Sequence, residues 1–237
     1  YSKKNGIKKN PLAGPGYLGG QDTKAALEIA VDQVNATGGL LGRPIEIITR
    51  DHKAGVQTDA RGYIKVDDEL LTSVPGIWVL GDCNGRGAFT HTSYNDYEIV
   101  ADNLLNSDKN GAKRSVRDRI TAYGLFIDPP LGRVGMGEEE VRKSGRKALI
   151  GTRPMTRVGR AVEKGETLGF IKILVDAETK HILGAAILGT GGDEAIHCLM
   201  DAMYAKAPCT VVQRAVHIHP TVSELLPTVL GELKPLV

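Results

Sequence analysis

Phe170-Ile-Lys-Ile-Leu-Val175 and His181-Ile-Leu-Gly-Ala-Ala-Ile-Leu188 are two apolar runs joined by the polar Asp176-Ala-Glu-Thr-Lys180, the pattern of an antiparallel hairpin. A helix is expected after it, because Asp193 to Ala205 carries Ile196, Leu199, Met200 and Met203 as one apolar stripe. The two methionines read as core filler rather than ligands. Thr221 to Leu233 predicts a last helix. Upstream, Ile120 to Ile127 reads as a strand ending at Asp128-Pro-Pro130, and Glu138 to Ser144 as a charged helix. Antiparallel strands followed by helices place this part of the chain in the α+β class.

Working outward, Lys109 to Arg119 is polar, charged and glycine-containing, and reads as a linker. Before it, Tyr63 to Val66 alternates as a strand. Ile77 to Leu80 is a short apolar run, expected to be a buried strand, that stops at Gly81-Asp82. His91 to Leu105 predicts a helix with Tyr97, Val100, Ala101 and Leu104 on one face. The first segment is different in texture. Gly14, Gly16, Gly19 and Gly20 precede a predicted helix from Thr23 to Ala36, with Leu27, Ala30, Val31 and Val34 at helical spacing. Gly38 and Gly39 then act as its C-terminal stop, and Ile45, Ile47 and Ile48 form a short strand ending at Arg50-Asp51. The texture changes from Gly62, and the chain reads as a helix-strand unit followed by two further parts, whose bounds the resemblances given below set at 1–54, 55–112 and 113–237.

The chain has 30 Lys and Arg against 28 Asp and Glu, so it carries no net basic field to select nucleic acid or an anionic membrane surface. Lys3, Lys4, Lys8 and Lys9 form a small basic start that reads as a solvated end. No apolar run approaches the roughly 20 residues of a membrane span, and the start lacks the apolar stretch of a secretory signal. Cys83, Cys198 and Cys209 are odd in number and form no C-x-x-C, which argues against a disulfide framework or a zinc ribbon; a reducing cytoplasm fits best.

Four motifs bear on chemistry. In Thr72-Ser-Val-Pro-Gly-Ile-Trp-Val-Leu-Gly-Asp-Cys83, Asp82 stands at the C-terminal end of a strand, where open α/β sheets bind ligands, and can accept from a ribityl or ribose hydroxyl. Gly81 lets backbone approach the ligand closely. The competing reading is that Asp82 caps a turn. His91-Thr-Ser93 begins a helix, whose N-H groups can stabilise negative charge on an electron-rich ring; ordinary capping by Thr90 or Thr92 is the alternative. In His217-Ile-His-Pro-Thr-Val-Ser-Glu224, a carboxylate can hold an imidazole in one tautomer and favour its protonated form, as an acid-base catalyst requires. Thr221 and Glu224 also form a T-x-x-E capping box, and the H-x-H pair resembles metal ligands without a third at sensible spacing. Ser223 lies in no G-x-S-x-G elbow. Gly14-Pro-Gly-Tyr-Leu-Gly19 satisfies G-x-G-x-x-G, but no buried strand precedes it, and Asp51 is too distant to be the ribose-binding acid.

Together these residues resemble the class I pyridine nucleotide-disulfide oxidoreductases, the flavoenzymes that include dihydrolipoamide dehydrogenase, glutathione reductase and mercuric reductase. The resemblance spans Gly55 to Val237. Gly62-Tyr-Ile-Lys-Val66 and Thr72 through Gly81-Asp82 look like that family's second flavin motif, which implies a contact of Asp82 with the FAD ribityl chain. Phe89-Thr-His91 is similar to the family's helix start under the flavin, which implies backbone contacts from Thr90 and His91. Phe126-Ile-Asp-Pro-Pro130, Val134-Gly-Met136, Gly169-Phe-Ile-Lys172 and Ile182-Leu-Gly-Ala-Ala-Ile187 look like its dimerisation domain, so residues 113–237 are expected to form a homodimer. His219-Pro-Thr-Val-Ser-Glu224 matches the family's His-Pro-Thr-x-Ser-Glu. The resemblance therefore implies that His219 is the acid-base catalyst in the partner subunit's site and that Glu224 orients it. FAD is the implied cofactor and NAD(P)H the electron donor.

The family's N-terminal flavin domain and its C-x-x-x-x-C pair do not appear in this sequence, so the isolated chain is expected to be largely inactive. The ending Glu232-Leu-Lys-Pro-Leu-Val237 also lacks the cysteine pair of mercuric reductases. Residues 10–54 resemble something else. Pro11-Leu-Ala-Gly-Pro-Gly16, Ala30-Val-Asp-Gln-Val-Asn-Ala36, Gly38-Gly-Leu-Leu-Gly-Arg-Pro44 and Ile45-Glu-Ile-Ile-Thr-Arg-Asp51 look like the start of a branched-chain amino acid transporter's periplasmic binding protein. The chain then reads as a fusion joined near Ala54 and Gly55. An amino-acid-binding module and a non-catalytic dimerisation unit are the rival functional readings.

Overall fold

The computed structural model describes residues 28–39, 42–47, 55–105 and 113–236. The chain divides into two compact units, Tyr1–Val116 and Arg117–Val237. The basic start, the glycine motif at 14–19, the first turn of the predicted first helix and the Ile48–Ala54 stretch lie outside the described residues.

In the first unit, residues 28–36 are helical, and the chain turns through Gly38 (φ 102°) and Gly39 (φ 77°), as the glycine pair predicts. Of the predicted apolar stripe, Ala30 and Val34 are exposed and Val31 is half-buried, so the stripe is not sealed from water. The strand expected from Ile45 does not form over its described part. Ile45 is held instead by the Asn35 side chain, which accepts from the Ile45 amide (2.7 Å) and donates to its carbonyl (2.7 Å).

Residues 55–80 run through three isolated antiparallel bridges, Thr58 with Ile64, Val66 with Thr72 and Leu71 with Trp78. The turns between them are set by carboxylates: Asp59 accepts from the Arg61 and Tyr63 amides, and Asp67 from those of Glu69 and Leu71. The expected buried strand Ile77–Leu80 is only half-buried and makes one bridge, at Trp78. A strand is fully buried only where both of its faces are covered, and the side chains of Ile77–Leu80 stay half-buried. After one turn of 3-10 helix at Asp82–Asn84 comes α1 (Thr90–Leu105), close to the predicted bounds. Its buried face is not the predicted one. Thr92, Asp96 and Ile99 are buried, whereas Tyr97 and Leu104 are more than half exposed. The reason is polar: Asp96 is drawn inward by hydrogen bonds that an apolar pattern does not register. Residues 113–116, predicted as linker, are tied to the first unit by Lys113 on Glu69 (2.7 Å), Arg114 on Asp102 (2.7 Å) and the Val116 amide on the Asp68 carbonyl (3.0 Å). That unit therefore ends at Val116 rather than Ala112.

The second unit is one six-stranded sheet. Its strands are β1 (Ala122–Leu125), β2 (Leu131–Gly135), β3 (Ala148–Pro154), β4 (Phe170–Asp176), β5 (Ile182–Leu188) and β6 (Lys234–Pro235), in the order β1-β2-β5-β4-β3-β6. Every neighbouring pair is antiparallel. The β4–β5 hairpin forms as read, from Phe170 opposite Leu188 to Val175 opposite Ile182, and stands at the centre. Helix α2 (Glu138–Lys143) follows β2, and α3 (Gly159–Glu163) follows β3. The helix predicted over Asp193–Ala205 is two, α4 (Gly192–Ala195) and α5 (His197–Tyr204), which meet at Ile196. After α6 (Thr210–Gln213), the last helix is shorter than predicted: a 3-10 turn at Ser223–Leu225 leads into α7 (Leu226–Gly231). Pro227 sits in the first turn of α7, where its missing N-H costs nothing.

Alternation along β4 divides the core. Ile171, Ile173 and Val175 face one side with Val134, Ile187, Leu199, Leu226 and Val229. Leu174 faces the other, where Val141 of α2 and Ala148 complete a smaller cluster. Full burial of each such side chain contributes about 1.5–3 kcal/mol. Lys172, on the α2 side, is ion-paired with Glu138 and holds that carboxyl below the usual range. Close approach of α4 to the sheet requires glycine: a Cβ on Gly132 would lie 2.2 Å from the Gly192 carbonyl oxygen.

The hairpin turn is closed by Asp176, which is 5% exposed. One carboxylate oxygen accepts from the Glu178 and Thr179 amides (2.9 Å each), and the other from Arg146 (3.0 Å). The two backbone donors, helped by Arg146, lower its pKa from 3.8 to about 2. A depressed carboxyl stabilises the fold fully above its free pKa and less as pH falls toward the folded value. Asp176→Ala is expected to lower stability by about 2 kcal/mol at neutral pH. In urea titrations, the gap from the parent should shrink between about pH 4 and pH 2.

Candidate functional site

In the first unit, the Ile77–Leu80 segment delivers Gly81 and Asp82 to a turn. Gly81 is buried with φ 79°, a conformation that favours glycine, and a Cβ there would sit 3.0 Å from Ser93 Oγ. The Asp82 carboxylate that follows is exposed. Thr90 and His91 open α1 and are also exposed. Phe89, before them, has φ 82°, and its carbonyl accepts from the Thr92 and Ser93 amides (3.1 Å each). Its ring stacks on His91, with centroids 5.6 Å apart and planes 7° from parallel. A solvent-facing carboxylate and a helix N-terminus thus belong to one short loop-helix element.

Two residues that the sequence reading passed over hold this element together. Asp96 Oδ2 accepts from the Gly81 amide (2.8 Å) and from Asn84 Nδ2 (2.9 Å). Asn84 Nδ2 also donates to the Val79 carbonyl (3.1 Å), and Asn84 Oδ1 accepts from the Arg86 amide (2.8 Å). An acid within an otherwise amphipathic helix was the available signal. The Cys83 thiol, partly desolvated although the residue is exposed, is pushed up in pKa by that desolvation and by the carboxylates of Asp82 and Asp96, and burial does the same to Cys209.

In the second unit, His219 follows the exposed Val216 and Ile218 and precedes a cis bond to Pro220. Its Nδ1 is 2.7 Å from Glu224 Oε2. A carboxylate only accepts, so Nδ1 carries the hydrogen and Nε2 is left to give or take a proton. The His219 side chain is 77% exposed and that of Glu224 only 17%, so the carboxylate is anchored and the imidazole faces outward. Thr221 Oγ1 donates to the Ile218 carbonyl (2.7 Å) and accepts from the Glu224 amide (3.2 Å). Half of the capping box therefore forms, while the Glu224 side chain turns to His219. No group of three His, Cys, Asp or Glu among the described residues is arranged to hold a metal ion. No helix among them is long and apolar enough to cross a membrane.

Residues 121–230 match the family model described as pyridine nucleotide-disulphide oxidoreductase, dimerisation domain. The second unit belongs to that family, and residues from about 55 to 237 are the C-terminal part of a class I pyridine nucleotide-disulfide oxidoreductase. Among curated relatives, the probable pyridine nucleotide-disulfide oxidoreductase RclA of Escherichia coli (strain K12) is 36% identical over 200 residues, which cover 84% of this chain and 44% of that protein. Dihydrolipoyl dehydrogenase of Cupriavidus necator is 31% identical over 172 residues, 73% of this chain and 35% of its own length. The chain thus spans less than half the length of these relatives. The solved structure of the HOCl-induced flavoprotein disulfide reductase RclA superposes with a TM-score of 0.70 at 37% identity, over 76% of this chain and 41% of that one. Residues 10–74 match a periplasmic binding protein model, a likeness that runs past the expected joint at Ala54 and Gly55.

Thr221→Val, which removes both hydroxyl bonds, is expected to cost about 1 kcal/mol of stability, and Thr221→Ser to retain most of it. Thermal unfolding of the two variants beside the parent checks this.

Proposed function

We propose that residues 55–237 serve an FAD-dependent NAD(P)H oxidoreductase of the disulfide reductase family, supplying part of an FAD site, a homodimer interface and an acid-base pair. The carrying observation is the 2.7 Å contact between the anchored Glu224 and the outward-facing His219. An imidazole that served its own protomer's interior would be buried. One that serves a partner subunit must face outward, with its tautomer set from behind.

The residues of the first unit fit a flavin. Asp82 accepts from ribityl hydroxyls, the first turn of α1 at Thr90 and His91 offers positive potential, and Gly81 serves the site through the turn that presents Asp82, its own open side lying against Ser93. Bound FAD supplies two-electron transfer between a nicotinamide donor and a disulfide-type acceptor. This chain's own residues hold the ribityl chain, orient the ring edge, and move a proton at His219 Nε2. Glu224 keeps Nδ1 protonated while it does so. A reducing cytoplasm is the compartment that suits three unpaired cysteines.

Sedimentation velocity tests the interface reading: a dimer is expected, and a strict monomer would count against it. The purified chain should carry no stoichiometric flavin but should quench the fluorescence of added FAD in a saturable way, without NADPH-dependent dye reduction. Robust turnover would overturn the fragment reading. Heat released on titration with leucine, isoleucine or valine would favour the amino-acid-binding alternative, which rests on the 10–74 match.

A further inference from the structure

We infer that Asp96 is the positioning residue of the flavin element: a buried carboxylate that fixes the Gly81–Asp82 turn against the helix carrying Thr90 and His91. The inference rests on the flavin reading above and adds to it a residue that touches no cofactor atom. Asp96 is 1% exposed, and burying a carboxylate is costly unless its oxygens are satisfied. Oδ2 draws in two donors from the loop, the Gly81 amide at 2.8 Å and Asn84 Nδ2 at 2.9 Å. Asn84 extends the tie to the Val79 carbonyl before the turn and to the Arg86 amide after it. One helical carboxylate thereby holds both sides of the turn.

This tie also decides how Gly81 acts. Its N-H is committed to Asp96 and turned into the protein, so Gly81 contributes a positive-φ bend that favours glycine and a close approach to Ser93. The bend directs the next residue, Asp82, outward. The exposed carboxylate and the exposed helix start sit on one frame, and loss of the bond at Asp96 lets one move against the other. Charged acceptors make stronger hydrogen bonds than neutral ones, which suits a carboxylate here.

The test uses the whole chain, with added FAD followed by amide spectra and fluorescence. Asp96→Asn keeps shape and one acceptor oxygen and is expected to bind within about threefold of the parent. Asp96→Leu removes both bonds and should bind about tenfold more weakly, with faster hydrogen exchange at the Gly81 amide. Asp82→Asn should weaken FAD binding in the parent and have little further effect in Asp96→Leu, because the turn no longer presents residue 82. Asn84→Ala, which leaves the Gly81 bond in place, should be intermediate and keeps the test open if Asp96→Leu does not fold. Unchanged FAD affinity in both Asn84→Ala and Asp96→Leu, or in Asn84→Ala when Asp96→Leu does not fold, would overturn the inference. A parent chain that shows no response to FAD would instead overturn the flavin reading, and Asp96 would then be a structural tie only.

Discussion

The β4–β5 hairpin carries apolar side chains on both of its faces, sealed on one and, on the face that also holds the ion-paired Lys172, buried at Leu174. Ile171, Ile173 and Val175 point to one side and Leu174 to the other, so a single covering layer is insufficient. The larger side takes the helices after β5, and the smaller takes α2, whose Val141 is fully buried. Other features of the second unit follow from this demand. The sheet grows outward from its centre, β2 and β3 flank the hairpin, and the short β6 covers the outer edge of β3. Gly132 and Gly192 are there because α4 must come close enough to seal the apolar side.

Polar chemistry in both units follows a common rule: a buried or half-buried carboxylate serves as a fixed point for something more exposed. Asp176 closes the central turn through two backbone amides and Arg146. Glu224 stands behind His219, and Asp96 behind the Gly81 turn. In each case the carboxylate is the less accessible partner, where water competes least for its hydrogen bonds. This arrangement separates positioning from contact: His219 and Asp82 face outward, and neither needs to hold itself in place.

Legibility varied with how local each cause was. The hairpin, α1 and α2 appear close to where apolar periodicity and turn residues place them, because these signals lie within a few residues of one another. The pairing of His219 with Glu224 could also be read from a five-residue interval. By contrast, β3 and β6 went unread. Ala148–Pro154 mixes Gly151, Thr152 and Arg153 with apolar residues and becomes a strand through pairing with β4. The break at Ile196 and the half-burial of Ile77–Leu80 were hidden for the same reason, since both depend on what packs alongside.

From sequence alone came the family of residues 55–237, the two candidate sites by residue and the likeness of residues 10–54 to a binding protein. Motifs are runs of neighbours, and chemistry that depends on neighbours survives in one dimension. Tertiary structure alone decided that Asp96 and Asn84 lock the turn at Gly81, that Glu224 is sheltered while His219 is not, and that Thr92, Asp96 and Ile99 form the inner face of α1. Those outcomes depend on which donors a fold brings within about 3 Å of a carboxylate, and residues 12 to 15 positions apart meet only when the chain has folded.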